Sequence, residues 1–412
     1  MPSISVDRLQ PGVFVSLEGV AWLDHPFLLN SFRITSEKQI ETLRQLGVEN
    51  IEWVPAKSKA GPLPEQKVIK ATEPDFGAQA LQALMQHKRQ RAAQVSEQRE
   101  RFARCERQFE QETATVGQAL RDIHAMPNES FGRARETVGR LNSGLLSAQS
   151  VVVHLVNLKS ADAGAARHAM NVMVLALLAG KALGLDAEEM NHVGLGAIFH
   201  DIGKVEIPPR VLRSTNRTPP EEQFYQAHIG YGIKHITRVR DIPISVKNVV
   251  ACHHERWDGT GFPNHLAGSK IPRLARIVAI ANRYDNLCNP FDLAQAKTPA
   301  EAVAQMFRQE SGAFDPEILQ AFVRSLGVYP PGSFIALSDG SIGLVVESNP
   351  KDSLHPTVMI HDEKVPRSEA LLVDLREAEL SVESAVNPAR LPLAVVEYLA
   401  PRGRIDYYID AA

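Results

Sequence analysis

Cysteine is scarce in this sequence. Its three thiols, Cys105, Cys252 and Cys288, lie far apart. An odd, sparse set excludes a disulfide framework and fits a reducing compartment, so a cytoplasmic chain is expected. Long apolar runs are also lacking. No stretch approaches the roughly 20 residues that span a bilayer. The opening Met1-Pro2-Ser3-Ile4 lacks the basic and apolar regions of a secretory signal, and none is expected. Nor is there an excess of one charge. Lys and Arg number 45 against 48 Asp and Glu, for a net charge of −3. No global basic field draws the chain to nucleic acid, and DNA is not an expected partner. Apolar residues at 44% and charged residues at 23% are ordinary for a globular protein. The 412 residues exceed one compact core, which predicts two or three domains.

The pattern along the chain predicts four regions. Residues 1–60 read as a small α+β domain. Val13-Phe14-Val15 and Ile51-Glu52-Trp53-Val54 suit strands. Ile40, Leu43 and Leu46 recur at helical spacing after Ser36, a candidate N-cap, and before Gly47, a candidate stop. Residues 61–126 read as a Lys/Pro/Gly-rich linker and then a charged helix. Few large apolar residues between Gln86 and Glu112 favour a solvated spacer over a dimer-forming coiled coil. Residues 127–330 read as helical almost throughout. Leu175, Leu178, Leu183 and Leu185 supply part of an apolar face, and Pro208-Pro209, Pro219-Pro220 and Ile271-Pro272 mark turns. Residues 331–412 read as a small β-rich tail. Its first two strands, Phe334–Leu337 and Gly343–Val346, flank an Asp339-Gly340 turn, and Thr357–Ile360 follows.

Histidine is distributed unevenly. Eight of the 14 fall between His168 and His265. A lone buried histidine is more often a satisfied core residue than a ligand, and His192, His235 and His265 read as core or surface residues. Two doublets differ. His200-Asp201 follows the apolar run Val193–Phe199, and His253-His254 follows Val249–Cys252. Such pairs at the ends of buried helices cost desolvation unless something binds them. With His168 and His228 they point to a metal site inside a helical bundle. Imidazoles with a bridging carboxylate suit Fe, Mn, Ni or Zn, and paired ions are the usual device for hydrolysing phosphoesters.

The motifs His200-Asp201-Ile202-Gly203-Lys204, His228-Ile229-Gly230 and His253-His254-Glu255-Arg256-Trp257-Asp258-Gly259-Thr260-Gly261-Phe262-Pro263 resemble those of the HD-GYP family. The likeness continues through Ile271–Ile277 and covers about 150–330. The stretch around Trp22–Phe27 resembles the small domain that often precedes HD-GYP domains in bacteria. The resemblance implies a mainly α fold with a helical-bundle metallohydrolase core. It implies hydrolysis of cyclic di-GMP to pGpG or GMP in bacterial signalling. The implied cofactors are two divalent transition-metal ions (Fe, Mn, Ni or Zn), held by His168, His200, Asp201, His228, His253 and His254, with Asp201 bridging. Lys204 would contact a phosphate, making His200, Asp201 and Lys204 the implied catalytic set. Glu255, Asp258, Gly259 and Gly261 would shape the motif loop.

Four features depart from the family pattern. Asn282 stands where an Asp ligand is usual; it remains a candidate metal ligand through its amide oxygen but lacks the charge, which weakens one metal, and Asp285, three residues on, is a candidate substitute. Gly164 replaces the Glu that binds a third ion in some members, so two ions are expected. Phe262 keeps the ring of the usual Tyr without its hydroxyl. Phe291 and Ala294 occupy the places of a basic pair that grips the ligand, leaving Lys204, Phe262 and Arg283 as candidate substrate contacts. The alternative to an active enzyme is a cyclic dinucleotide receptor or interaction module without turnover. The flanking regions are candidates for dimerisation or for binding a signalling partner.

Overall fold

The computed structural model describes residues 2–17, 27, 31–64, 77–147, 151–156, 164–214, 216–348, 352–363, 365–367, 370–378, 380–400 and 405–411. The segment Trp22–Pro26, which carries most of the N-terminal likeness, lies outside them. The chain divides into two compact units: Met1–Glu100 with Ile335–Gly343 and Ile360–Ser384, and Arg101–Phe334 with Leu344–Met359 and Ala385–Ala412.

In the first unit, strands β1 (Ser3–Ser5), β2 (Phe14–Ser16), β3 (Ser31–Arg33) and β4 (Asn50–Trp53) form an antiparallel sheet in the order β1-β4-β2-β3. Helix α1 (Glu37–Gln45) adds Ile40 and Leu43 to a core that includes Val13, Val15, Phe32, Ile34 and Ile51. Ser36 sits at the N-cap with extended backbone, but its hydroxyl caps nothing. Gln39 Oε1 instead accepts from the Thr35 N–H at 2.7 Å. Gly47 ends the helix at φ 70°, a left-handed conformation that costs glycine little.

Helix α2 (Gly77–Asp122) is the long charged helix. Its second half is not a solvated spacer. Cys105, Phe109, Thr113, Val116 and Ala119 are buried at three- and four-residue spacing. This single stripe packs into the second unit's core with α3 (Pro127–Ser147). A charged helix needs only one such stripe to be anchored.

Strand β5 (Val151–Val156) interrupts the region expected to be helical. Its run of three valines favours extended backbone. Helix α4 (Gly164–Ala182) is buried on all sides from Ala169 to Gly180, so it has no single apolar face. Leu183 and Leu185 lie beyond its end. Around α4 pack α5 (Ala187–Phe199), α10 (Arg273–Cys288) and α12 (Pro316–Leu326). Helices α6 (Pro209–Arg213), α7 (Pro219–Gln226), α8 (His228–Ile236), α9 (Ile244–Cys252) and α11 (Pro299–Arg308) complete the set. The expected proline turns fall at the starts of α6, α7 and α10, where proline's missing N–H is harmless.

The C-terminal residues form β6 (Phe334–Leu337), β7 (Ile342–Ser348), β8 (Thr357–Ile360), β9 (Leu372–Asp374), β10 (Val382–Ala385), α13 (Leu393–Leu399) and β11 (Asp406–Ala411). Asp339-Gly340 makes the expected turn. Asp339 Oδ1 accepts from the Ser341 N–H at 2.9 Å, and Gly340 has φ 85°. Strand β11 returns to the second unit and pairs antiparallel with β5, which also pairs with β7. The chain is mainly α, with small sheets in its N- and C-terminal regions. No helix among the described residues is long and apolar enough to cross a membrane.

Candidate metal centre

The ends of buried helices deliver the imidazoles to one place. His200 is the C-cap of α5, and Asp201 opens the short 3-10 segment Ile202–Glu206. His228 begins α8, His253 is the C-cap of α9, and His254 follows it. His168 lies in the second turn of α4. At Gly203 the 3-10 segment presses on α8 so closely that an added Cβ would collide with the His228 carbonyl oxygen.

Asp201 is the centre of the cluster. Its Oδ2 lies 3.2 Å from His200 Nε2 and 3.5 Å from His168 Nε2. Its Oδ1 lies 3.5 Å from His253 Nε2 and 3.6 Å from His228 Nε2. The donors form two groups that share Asp201: His168 and His200 on one side, His228, His253 and His254 on the other. Within each group the ligand atoms lie within 4.8 Å of one another.

The outer nitrogens fix how the rings point. His200 Nδ1–H donates to the Ala197 carbonyl at 2.7 Å, His228 to Tyr225 at 2.6 Å and His253 to Val250 at 3.1 Å. Each bond reaches back three residues, so the helix end that carries the ring also sets its tautomer. Nε2 of His228 and of His253 is left without a hydrogen-bond partner among the described residues, and Nε2 of His200 faces His168 Nε2 at 3.2 Å; outer hydrogen bonds of this kind prepare imidazoles to bind metal. Asp201 Oδ1 and the Nε2 atoms of His228, His253 and His254 are buried and have no hydrogen-bond partner among the described residues. Buried polar atoms without partners are costly, and a cation satisfies all four at once. The donor set fits a transition metal.

His168 is oriented differently. Its Nδ1–H donates to Asp285 Oδ2 at 2.6 Å. Burial lowers its pKa, but Asp201 and Asp285 outweigh burial and push it up to about 9. Burial would raise the Asp201 pKa, yet His200, Lys204 and His168 hold that carboxyl well below the usual range. Burial lowers His228, and it lowers His253 to about 3. His254 is also held far down, by burial and by His253. The second group is therefore neutral and ready to coordinate at neutral pH.

Lys204 Nζ lies 2.5 Å from Asp201 Oδ2 and 5.5 Å from the centre of the Tyr225 ring. Arg217 stacks on the same ring at 3.9 Å. Tyr225 lies three residues before His228, outside the motif that marks His228 in the sequence. The Phe262 ring stacks on His254 with centroids 4.6 Å apart. Glu255 is buried and accepts from the Asn264 and Leu266 N–H groups at 2.7 and 2.9 Å. Asp258 binds Thr260 within the same loop. A Cβ at Gly261 would collide with the backbone of Glu255 and Arg256.

Two candidates sit differently from expectation. Asn282 is buried on α10, and its Oδ1 accepts from Asn286 Nδ2 at 2.6 Å. Arg283 is held by Glu310 in a bidentate ion pair at 2.8 and 2.6 Å. Two residues along a helix turn the side chain by about 200°, which puts Arg283 on the opposite face of α10 from Asp285. Gly164 begins α4, exposed and without a side chain to offer. Phe291 is exposed, with the Arg213 guanidinium over its ring at 5.6 Å.

Residues 150–318 match the family described as HD domain, and residues 2–132 match a domain of unknown function, DUF3391. The chain is 30% identical over 365 residues to a cyclic di-GMP phosphodiesterase of Pseudomonas aeruginosa, covering 87% of this chain and 84% of that protein. It is 31% identical over 234 residues to a cyclic di-GMP phosphodiesterase response regulator of Xanthomonas campestris, covering 55% and 58%. A 3'3'-cGAMP-specific phosphodiesterase of Vibrio cholerae is 28% identical over 217 residues, covering 52% of this chain and 41% of that protein. Among solved structures, an HDG"Y"P protein from Bdellovibrio bacteriovorus is similar with a TM-score of 0.44 and 16% identity, covering 78% of this chain and 97% of that one.

Proposed function

Because the chain belongs to the HD-GYP family of phosphodiesterases, we propose that it hydrolyses cyclic di-GMP to pGpG or GMP with two divalent metal ions. The observation that carries this reading is the pair of donor groups meeting on the two oxygens of Asp201. His168, His200 and Asp201 would hold one ion, and Asp201, His228, His253 and His254 the other. Ions in these places would supply an activated water and offset charge on the phosphoryl oxygens.

The chain's own groups do the rest. The carbonyls of Ala197, Tyr225 and Val250 keep three imidazoles in one tautomer, so no reorganisation accompanies binding. Lys204 presents a cation beside Asp201 for a phosphate oxygen, and the Tyr225 ring limits where that cation moves. Phe262 covers His254 and keeps water from that side of the cluster. The Fe, Mn, Ni or Zn choice follows from the imidazole-rich set.

A receptor without turnover is the competing reading. Asn282, engaged by Asn286, and Arg283, committed to Glu310, favour it. The deciding assay incubates the full chain anaerobically with Fe(II) or Mn(II) and cyclic di-GMP, with cGAMP in parallel, and separates the products by chromatography. Turnover of cyclic di-GMP is expected. The His200→Ala plus Asp201→Ala chain should be inactive and lose two equivalents of metal. Silence of both the native and the Asn282→Asp chains would overturn the enzyme reading, and preference for cGAMP would replace the substrate.

A further inference from the structure

A second histidine cluster lies outside the central site. His124 is exposed in the turn between α2 and α3, Glu206 closes the 3-10 segment Ile202–Glu206, and His235 is buried in α8. One ligand atom from each lies within 4.8 Å of the others. His235 Nε2 is 2.9 Å from Glu206 Oε1, and the His124 and His235 rings meet edge to face with centroids 5.5 Å apart. We propose that His124, Glu206 and His235 form a binding site for one divalent transition-metal ion, separate from the central pair.

The donor chemistry supports this. Two imidazoles and one carboxylate are a common three-residue set for Zn(II), with the fourth position left to water. His235 is 4% exposed. Its Nδ1 has no hydrogen-bond partner among the described residues. A buried imidazole with one nitrogen unpartnered is an unfinished polar group, and its Nε2 is held beside Glu206 Oε1 at 2.9 Å. Arg238 is the competing cation. It reaches His124 Nδ1 at 3.5 Å, at the outer limit of a hydrogen bond. Glu206 supplies the negative charge that an incoming ion needs.

The position gives the site a consequence. Glu206 lies two residues beyond Lys204 on the segment that Asp201 opens. His235 lies seven residues beyond His228, about two turns along α8. An ion held by all three would fasten the end of α2 to both elements that build the central cluster.

The test is equilibrium dialysis of the full chain against Zn(II), comparing native protein with His124→Ala and Glu206→Gln. His124 is exposed, so its removal leaves the fold intact, and circular dichroism checks this. The native chain should bind one equivalent that each variant binds more weakly, by about tenfold or more. Co(II) gives a second readout. The extra equivalent should add visible absorption that His124→Ala lacks. Equal Zn(II) affinity and stoichiometry in the native and His124→Ala chains would overturn the proposal. The comparison is a difference between chains with an unaltered central site, so its result is independent of whether the protein turns over cyclic di-GMP.

Discussion

Asp285 holds His168 through a 2.6 Å hydrogen bond while Asn171 and Asn289 hold Asp285 from its other oxygen at 2.8 and 2.9 Å. The same two amides grip strand β11. Asn171 and Asn289 donate to the Ile405 carbonyl, Asn289 accepts from the Ile405 N–H, and Asn171 accepts from the Tyr407 N–H. Strand β11 thereby fixes the carboxylate that orients the imidazole proposed to bind metal. These bonds support a positioning role for Asp285 on His168.

Replacing Asp285 with Asn should keep the volume and lose the charge that favours His168 Nδ1–H. Removing such an outer partner typically costs about 10–100-fold in metal affinity or activity. Metal titration and kcat of Asp285→Asn would show this loss. An unchanged affinity would mean that His168 is oriented by something else.

Asn282→Asp would place a charged oxygen at the position where the family resemblance implies an Asp ligand. Asn286 Nδ2 already donates to position 282 and would donate to the new carboxylate, so the charge is accommodated. Tighter metal retention through dialysis and faster turnover are expected, by about tenfold if one ion is limiting. Weaker retention would show that the carboxylate turns away from the site.

The metal-free chain should be most stable near pH 6.5. His228, His253 and His254 have folded pKa values below the unfolded value of about 6.5, so the unfolded chain binds more protons as pH falls and stability drops. With His253 lowered to about 3, its share by pH 5 is roughly 2 kcal/mol, at about 1.36 kcal/mol per unit. His168 acts in the opposite sense. Its pKa is raised to about 9, so its stabilisation is full below 6.5 and fades as pH rises towards 9. Thermal melts in chelator from pH 5 to 9 would trace this maximum. A melting temperature that climbs steadily to pH 9 would contradict it.

Gly203→Ala should be among the most damaging small changes in the chain. The new methyl would meet the His228 carbonyl, forcing apart the 3-10 segment and α8. Backbone cannot yield as a side chain can, so a loss of several kcal/mol is expected, of the order of other overpacked sites. Denaturant melts of Gly203→Ala against Gly230→Ala, a glycine with open space at its Cβ, isolate the steric effect. Similar midpoints would disprove the close contact.

Tyr225→Ala should raise KM more than it lowers kcat. It removes the ring that both Lys204 and Arg217 face, while the Tyr225 carbonyl still accepts from His228. A cation–π pair contributes about 0.5–2 kcal/mol, which corresponds to a few-fold to about 30-fold in KM. A pure kcat defect would place the ring elsewhere in the mechanism.

The histidine doublets were legible because desolvation makes His-Asp and His-His expensive after apolar runs. The helix ends that carry His200, Asp201 and His253 were legible because the periodicity stopped there. The role of Asp285 was not, since its bond to His168 joins residues 117 apart. Nor was Arg283's partner Glu310, chosen by the packing of α10 against a distant turn. Strand β5 was missed because helical segments surround it and its partner β11 lies at the other end of the chain.

What the sequence alone determined is which residues could carry the chemistry. Side-chain type and local periodicity are properties of short segments, so the imidazoles, the shared carboxylate and the helical class were readable from them. Tertiary structure decided which of those groups face one another. Asp201 divides its two oxygens between two donor groups, His124 meets His235, and β11 closes on Asp285, because packing brings distant segments together and no local pattern encodes that choice.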